Sequence, residues 1–370
     1  MTFTVLSDDN VRQLLSELSP SDTRQFITAL QGGLVAYSCQ DEQQYQPERS
    51  VISRPSGQRS LFMPATTPQA IGVKMVGIAP PSGPTSAASE AAPPPPPALR
   101  SVLTLCNAAG EAIGILNAAE LTAFRTALGS MLLYQSRKET ANIVVFGSGK
   151  QAQWHIRLAV MLRAKDIRKI VIVNRSRGRA QALIASLVKD SHLSWPSHIK
   201  TYQFEERNES LEDLVADADV IFCTTPATEP LFRAKFLTSA SAQRKTRYIA
   251  AIGSYRLNMA EIDPELIKIM VDPFGIFSQH VWQRHIAVDT REGCLQEAGE
   301  LVSAGVDPGK MLEVGRIFGS QDIPSAQTEW LEEGFVLYKS VGVGVMDMAV
   351  GHQLLQLAKA KDIGTTLATF

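Results

Sequence analysis

Residues Asn142 to His155 read NIVVFGSGKQAQWH, and the order of residue types in that stretch decides the fold. Ile143, Val144, Val145 and Phe146 form an apolar run of strand length. Gly147, Ser148 and Gly149 break it, and the residues from Lys150 onward suit a helix. A second strand, IVIVNRS from Ile170 to Ser176, closes a strand-turn-helix-strand unit of the kind found in parallel sheets. The glycine pattern is G-x-G-x-x-A. Gly147 permits the sharp turn, Gly149 lets a pyrophosphate approach the backbone, and the small Ala152 allows close packing of helix on strand. Free N–H groups and the positive end of the helix dipole stand ready there for a phosphate. A glycine turn alone also joins ordinary strands and helices; the strand before it, the helix after it and the second strand make it a dinucleotide site, with Ser148 and Gln151 in its first turn.

The end of the second strand chooses between dinucleotides. NAD-binding chains place an acidic residue there for the ribose hydroxyls, whereas this one carries Asn174, Arg175, Ser176 and Arg177. Guanidinium groups suit a 2′-phosphate, so NADP(H) is expected in preference to NAD(H). Solvated arginines in a loop are the alternative.

Composition narrows the partner. With 36 basic and 37 acidic residues interspersed, the net charge of −1 gives no electrostatic footprint for nucleic acid or an anionic membrane, which favours a small molecule. The 370 residues, 45% of them hydrophobic, suffice for two domains. Cys39, Cys106, Cys223 and Cys294 are widely spaced without a CxxC pair, and His192, His198, His280 and His285 lack ligand spacing, so neither a disulfide framework nor a metal site is expected. No basic leader and no apolar run near the length of a membrane span is visible; a cytoplasmic protein is the expectation.

Upstream, Ser7 to Asn10 caps an amphipathic helix (VRQLLSEL), and a second helix, SPSDTRQFITALQGGL, is expected to end at Gly32–Gly33. Short apolar runs between Val51 and Val76 predict antiparallel strands. The segment APPSGPTSAASEAAPPPPPA, residues 79–98, holds almost nothing that could form a core and reads as a mobile loop joining two strands of one sheet. SVLTLCNAAGEAIGIL then predicts a hairpin about Asn107–Gly110. Downstream of Asn142, further parallel strands are expected at Val220–Thr225, Tyr248–Gly253 and Ile286–Asp289. Leu331 to Ala358 reads as one long apolar-striped helical region packing back on the first domain. The expected class is therefore α/β, with a Rossmann-type doubly wound parallel sheet.

The segments GSGKQAQWH, VNRS, FRTAL, GVKMV, AAIGSY with the acid of AEID, VDTREGCLQEAGEL and KSVGVGVMDMAVG together resemble the ornithine cyclodeaminase/mu-crystallin family over nearly the whole chain. The 79–98 segment and an apparent insertion near Asp272–His285 depart from its pattern. The resemblance implies a homodimeric enzyme that moves a hydride between a nicotinamide and the α-carbon of an amino or imino acid, with a Rossmann domain over 131–324 and an α+β substrate-binding and dimerisation domain built from both chain ends, 1–130 and 325–370. It implies cofactor contacts at Thr224, Thr225, Pro226 and Gly253, and at Ser340 and Val341 beside Lys339. It implies a substrate-carboxylate clamp of Arg54, Lys74 and Arg125, with Arg59, five residues beyond Arg54, as the alternative register. Lys74 and Arg125 lie inside apolar segments where a charge needs a partner, so a structural salt bridge is the competing reading. Asp347 is placed either in the nicotinamide pocket or in a salt bridge, and Cys223 reads as a small core residue.

In the family's cyclodeaminases an aspartate follows the glycine turn of the AAIGSY segment and handles the proton of the substrate side-chain amine. Here that position is Tyr255. A phenol is a poor base at neutral pH but can donate to an imine nitrogen. The expected activity is therefore an imine reductase or L-amino-acid dehydrogenase, for example on pyrroline-2-carboxylate or piperideine-2-carboxylate, with Lys74 and Tyr255 as catalytic residues. Ornithine cyclodeamination is the runner-up, and an NADPH-dependent binding protein resembling mu-crystallin the third reading.

Overall fold

The computed structural model describes residues 2–79, 99–206, 209–277, 284–320 and 324–368. The chain forms two compact units, one from Met1–Leu18, Asp41–Thr122 and Gly344–Phe370, the other from Ser19–Gln40 and Ala123–Val343. Compared with the expected division, the second unit takes in the Ser19–Gln40 segment, the end of the Ala119–Tyr134 helix, and residues up to Val343.

The first unit holds a mixed seven-stranded sheet. Its strands are β1 (Phe3–Leu6), β2 (Ser50–Ser53), β3 (Arg59–Thr67), β4 (Ala70–Ile78), β5 (Leu99–Asn107), β6 (Ala112–Asn117) and the C-terminal β15 (Thr365–Leu367), in the order β15-β1-β6-β5-β4-β3-β2. Alternation sets its faces: Ala70, Gly72, Lys74 and Val76 of β4 are buried, and the intervening Ile71, Val73, Met75 and Gly77 are exposed or half-exposed. The helix Gly344–Lys361 packs on β3, β4 and β5, as expected of the C-terminal region. Strands β4 and β5 pair antiparallel along their full length, from Ala70↔Asn107 to Ile78↔Leu99. Segment 79–98 thus joins neighbouring strands, as read from the sequence; its expected mobility concerns residues 80–98, which lie outside the described residues. Ser7 caps the helix Asp8–Ser16 by accepting from the Asn10 N–H, the reciprocal box that the sequence signals.

The second unit is built on an eight-stranded, wholly parallel sheet. Its strands are β7 (Asn142–Phe146), β8 (Lys169–Val173), β9 (Lys200–Gln203), β10 (Val220–Cys223), β11 (Arg247–Ala251), β12 (Ile286–Val288), β13 (Met311–Glu313) and β14 (Phe335–Lys339), ordered β13-β12-β14-β11-β10-β7-β8-β9. The chain winds outward from β7 through β8 to β9, then returns to β10 on the other side of β7. That reversal between β7 and β10 is a topological switch point, the place where open parallel sheets bind ligands beyond their carboxyl ends. Strands β7, β10 and β11 are buried throughout or nearly so, which is why they read as continuous apolar runs.

Two expectations are corrected. The second helix does not stop at Gly32–Gly33 but runs from Pro20 to Cys39. Its last turns bury Leu34, Tyr37 and Ser38 against the short helix Val314–Gly319, where a Cβ at Gly315 would stand 2.0 Å from the Leu34 carbonyl oxygen. Burial against a neighbour outweighs the roughly 1 kcal/mol cost of each glycine in a helix. The region Leu331–Ala358 is not one helix either: a helix ends at Glu333, Phe335–Lys339 is strand β14 between β11 and β12, and a new helix begins at Gly344. A five-residue apolar run cannot be assigned by periodicity alone. Strands β1, β9, β13 and β15 also lie where no strand is expected from the sequence. The apparent insertion near Asp272–His285 is described to Phe277; residues 278–283, including His280, lie outside the described residues.

Candidate active site

Gly147 leaves β7 with φ +109, in the region that favours glycine, and its N–H bonds to the Val173 carbonyl at the end of β8. A side chain there would meet Thr224 Oγ1 at 2.7 Å, so the first glycine is required by the β10 loop as well as by the turn. Thr224 holds the same edge, donating from Oγ1 to the Phe146 carbonyl at 2.7 Å. Gly149 is the N-cap of the helix Lys150–Arg163, with no side-chain cap and open space where its Cβ would be. The helix thus begins at a glycine with open space at its Cβ position and without a side-chain cap, an arrangement that suits a phosphate. Ala152 is fully buried and Ser148 half-buried, while the Gln151 side-chain oxygen is buried with no hydrogen-bond partner.

At the end of β8, Asn174 Nδ2 donates to the Ser176 carbonyl, and Ser176 caps the helix Arg177–Val188 by accepting from the Arg179 N–H. The Arg175 and Arg177 side chains are exposed; Arg177 lies 3.9 Å from Glu206.

Three loops at the carboxyl edge of the central strands are tied by buried carboxylates. Glu261 accepts from the Thr225 N–H after β10 at 2.6 Å and from the Gly253 N–H after β11 at 2.6 Å. It also accepts from Thr225 Oγ1 and the Ser254 N–H. Burial, opposed by nearby Lys339 and the hydrogen bonds and reinforced by Glu300, pushes its carboxyl up to about 7. Lys339 is itself buried at the end of β14, donating to the Ser254 carbonyl at 2.5 Å and lying 3.1 Å from Glu300. Asp289, after β12, receives the Ser340 hydroxyl and the Val341 and Gly342 N–H groups on one oxygen. Tyr255 follows Ser254, half-buried, with the Arg256 guanidinium 5.1 Å from its ring centroid. Pro226 is exposed, and burial pushes the Cys223 thiol well up, which fits a core residue rather than a nucleophile.

In the first unit, Lys74 of β4 reaches Asp347 of the Gly344–Lys361 helix at 2.6 Å, both side chains almost wholly buried. The salt-bridge reading of Asp347 is thus met, with Lys74 as its partner. Arg54 lies in the exposed turn between β2 and β3, closed by the Arg54 N–H to Gln58 and the Gly57 N–H to Arg54. Arg125 is a buried residue of the second unit, on the helix Ala119–Tyr134.

Residues 132–254 match the shikimate/quinate 5-dehydrogenase family model, a span that covers β7 to β11. Over the longer chain, an uncharacterized protein of Saccharomyces cerevisiae is 31% identical across 67% of this chain and 71% of its own length. A Δ1-pyrroline-2-carboxylate reductase of Bacillus cereus is 24% identical across 83% and 84%. The structure of the Thermococcus litoralis Δ1-pyrroline-2-carboxylate reductase, solved with NADH and L-proline, superposes with a TM-score of 0.70 over 98% of this chain and 99% of that one, at 18% identity. The chain belongs to the ornithine cyclodeaminase/mu-crystallin family.

Sequence reasoning located the family's glycine turn and its strand-end loops, but it gave no role to Glu261, Asp289 or Glu300. Each sits in a segment quoted for the resemblance, AEID or VDTREGCLQEAGEL. What marks them is an acid within or beside an apolar strand-loop context, where a carboxylate must find donors. Among the described residues, no group of three or more His, Cys, Asp or Glu side chains could hold a metal ion, and no helix is long and apolar enough to cross a membrane.

Proposed function

We propose that the protein is an NAD(P)H-dependent oxidoreductase acting on the C–N bond of an imino or amino acid: a ketimine reductase, or the same reaction reversed as an L-amino-acid dehydrogenase. The observation that carries this reading is the open cradle at Gly147–Gly149 on the switch point of a parallel sheet, in a family whose curated relatives include pyrroline-2-carboxylate reductases.

Backbone N–H groups at Ser148–Gln151 hold the pyrophosphate; Thr224, Thr225, Pro226 and Gly253 line the ribose side, and Ser340 and Val341 the nicotinamide side. Arg175 and Arg177 stand where a 2′-phosphate would be, which supports NADP(H) over NAD(H). The Thermococcus structure contains NADH, so this preference rests on the present chain's own arginines. When bound, the nicotinamide supplies the hydride that adds to the imine carbon. Lys74 and Arg125 bind the substrate carboxylate, with Arg54 as the third member of the clamp, and so orient the α-carbon. Tyr255 holds the proton at the imine nitrogen, which becomes the amine N–H as the C=N bond is reduced. A tyrosine in place of an acid removes the group that would deprotonate a side-chain amine, which favours reduction over cyclodeamination. The half-exposed face of the first sheet (Phe62, Met75 and Val102, in register on β3, β4 and β5) supports a homodimer. A cytoplasmic location is part of the proposal.

The test is a paired assay. NADPH consumption with pyrroline-2-carboxylate and piperideine-2-carboxylate is expected, while proline and ammonia from L-ornithine with catalytic NAD are not; ornithine turnover without net cofactor change assigns the lyase instead. Cofactor titration should show NADPH binding at least about ten-fold tighter than NADH, and Arg175→Ala should erase most of that margin, the size of one charge-assisted contact. Equal affinities in the wild type overturn the preference.

A further inference from the structure

Arg125 is more than a charge on a helix, because its guanidinium has a built seat. Gly342, three residues beyond the end of β14, has φ +83. A Cβ on Gly342 would stand 2.7 Å from Arg125 Nη2, 2.8 Å from Nη1 and 3.1 Å from Cζ. Contact with all three atoms means that the flat guanidinium lies over the bare Cα of Gly342, where a Cβ would push it aside. The seat is in turn held from below. Asp289, fully buried, takes the Gly342 N–H at 2.6 Å, the Val341 N–H at 3.0 Å and the Ser340 hydroxyl at 2.7 Å on Oδ2, and the Thr290 N–H at 2.8 Å on Oδ1. Two successive backbone N–H groups converging on one oxygen make an anion nest, a geometry that an αL-type residue at its end creates.

We infer that Asp289 and Gly342 are positioning residues for substrate recognition: Asp289 locks the Ser340–Gly342 turn, and the turn, kept bare at Gly342, fixes the plane of the Arg125 guanidinium. The inference rests on the reading that Arg125 binds the substrate carboxylate. A bidentate clamp demands a fixed plane, since a planar carboxylate meets a planar guanidinium in one orientation. A guanidinium free to rotate would still attract the carboxylate but would not aim the α-carbon.

Two variants test it. Gly342→Ala puts a Cβ against the guanidinium and strains the φ +83 turn, so Arg125 is displaced while the Asp289 hydrogen bonds are kept; Asp289→Asn turns an acceptor into a donor facing N–H groups and releases the turn itself. The first readout needs no substrate: the rate at which phenylglyoxal modifies Arg125, followed by peptide mass mapping. Arg125 is buried in the wild type and should react slowly, with both variants several-fold faster. The second readout is kinetic. Gly342→Ala should raise KM for piperideine-2-carboxylate roughly ten-fold or more while the NADPH dissociation constant, read by fluorescence, stays within about two-fold. A purely structural role would lower melting temperature and leave that split absent. Folded variants in which Arg125 reacts at the wild-type rate and KM is unchanged overturn the inference. A wild type that reduces no imine counts against the proposed function alone, because the modification rate is read without turnover.

Discussion

Lys74 and Asp347 show what a buried charge requires at the scale of one residue. Their side chains are 2% and 1% exposed, so each depends on its partner at 2.6 Å to offset the loss of water. Removing one partner takes the nearest opposite charge away from a buried ion, whereas replacing both with apolar groups removes both charges. Asp347→Asn is therefore expected to cost about 3–5 kcal/mol in urea unfolding, and the double variant Lys74→Met/Asp347→Leu markedly less than the two single changes together. Additive losses would show that the pair is not coupled. From the sequence, the charge of Lys74 inside GVKMV signalled that a partner exists; that Asp347 is a partner was decided only by the packing of the C-terminal helix on β4. Arg54 shows the opposite case, since its place in the sequence gave no sign of whether the β2–β3 turn would bury it or leave it exposed.

At the scale of the element, Glu261 works as a staple between neighbouring strands, because the Thr225 and Gly253 amides it accepts belong to the loops that end β10 and β11. The hydrogen bonds favour its ionised form, yet burial dominates and its carboxyl is raised to about 7. A folded-state value above the unfolded one means that the folded chain holds the extra proton between about 4.5 and 7. The stability contributed by neutral Glu261 is thus present below that window and lost as pH rises through about 7, on the order of 3 kcal/mol. Comparing wild type with Glu261→Gln cancels the other titrating groups: from pH 5 to pH 8 the wild type should lose more stability than the variant. Parallel stability profiles for the two proteins would contradict the assignment. The cooperation of three strand ends through Glu261, Lys339 and Asp289 also explains why β14 escaped the sequence reading. Phe335–Lys339 is five residues long and buried throughout, so it carries no alternation, and its identity as a strand comes from β11 and β12 on either side.

For the whole molecule, the full-length pairing of β4 with β5 has a consequence for residues 79–98. The ladder closes at Ile78↔Leu99, so nothing in the pairing requires a long connection. Deleting Ser82 to Pro97 leaves a short linker of hairpin length, and closure entropy changes only slowly with loop length. The deletion variant is expected to keep its melting temperature within a few degrees and its NADPH affinity within about two-fold. A fall of many degrees, or loss of cofactor binding, would show that the segment docks on the folded chain. The sequence by itself determined the parallel sheet, the glycine cradle and the paired strands of the first unit. Those features are written locally, in apolar runs of strand length, in turn residues and in caps whose physics acts over a few positions. Tertiary structure alone decided that the Pro20–Cys39 helix runs through two glycines, that Phe335–Lys339 is a strand, and that Asp289, Gly342 and Arg125 converge. These depend on partners far away in the chain: the Leu34 carbonyl against Gly315, two neighbouring strands, and a carboxylate some fifty residues from the amides it holds. No pattern within a window reports such contacts, because the free energy that fixes them is the burial and hydrogen bonding gained only when the distant segments meet.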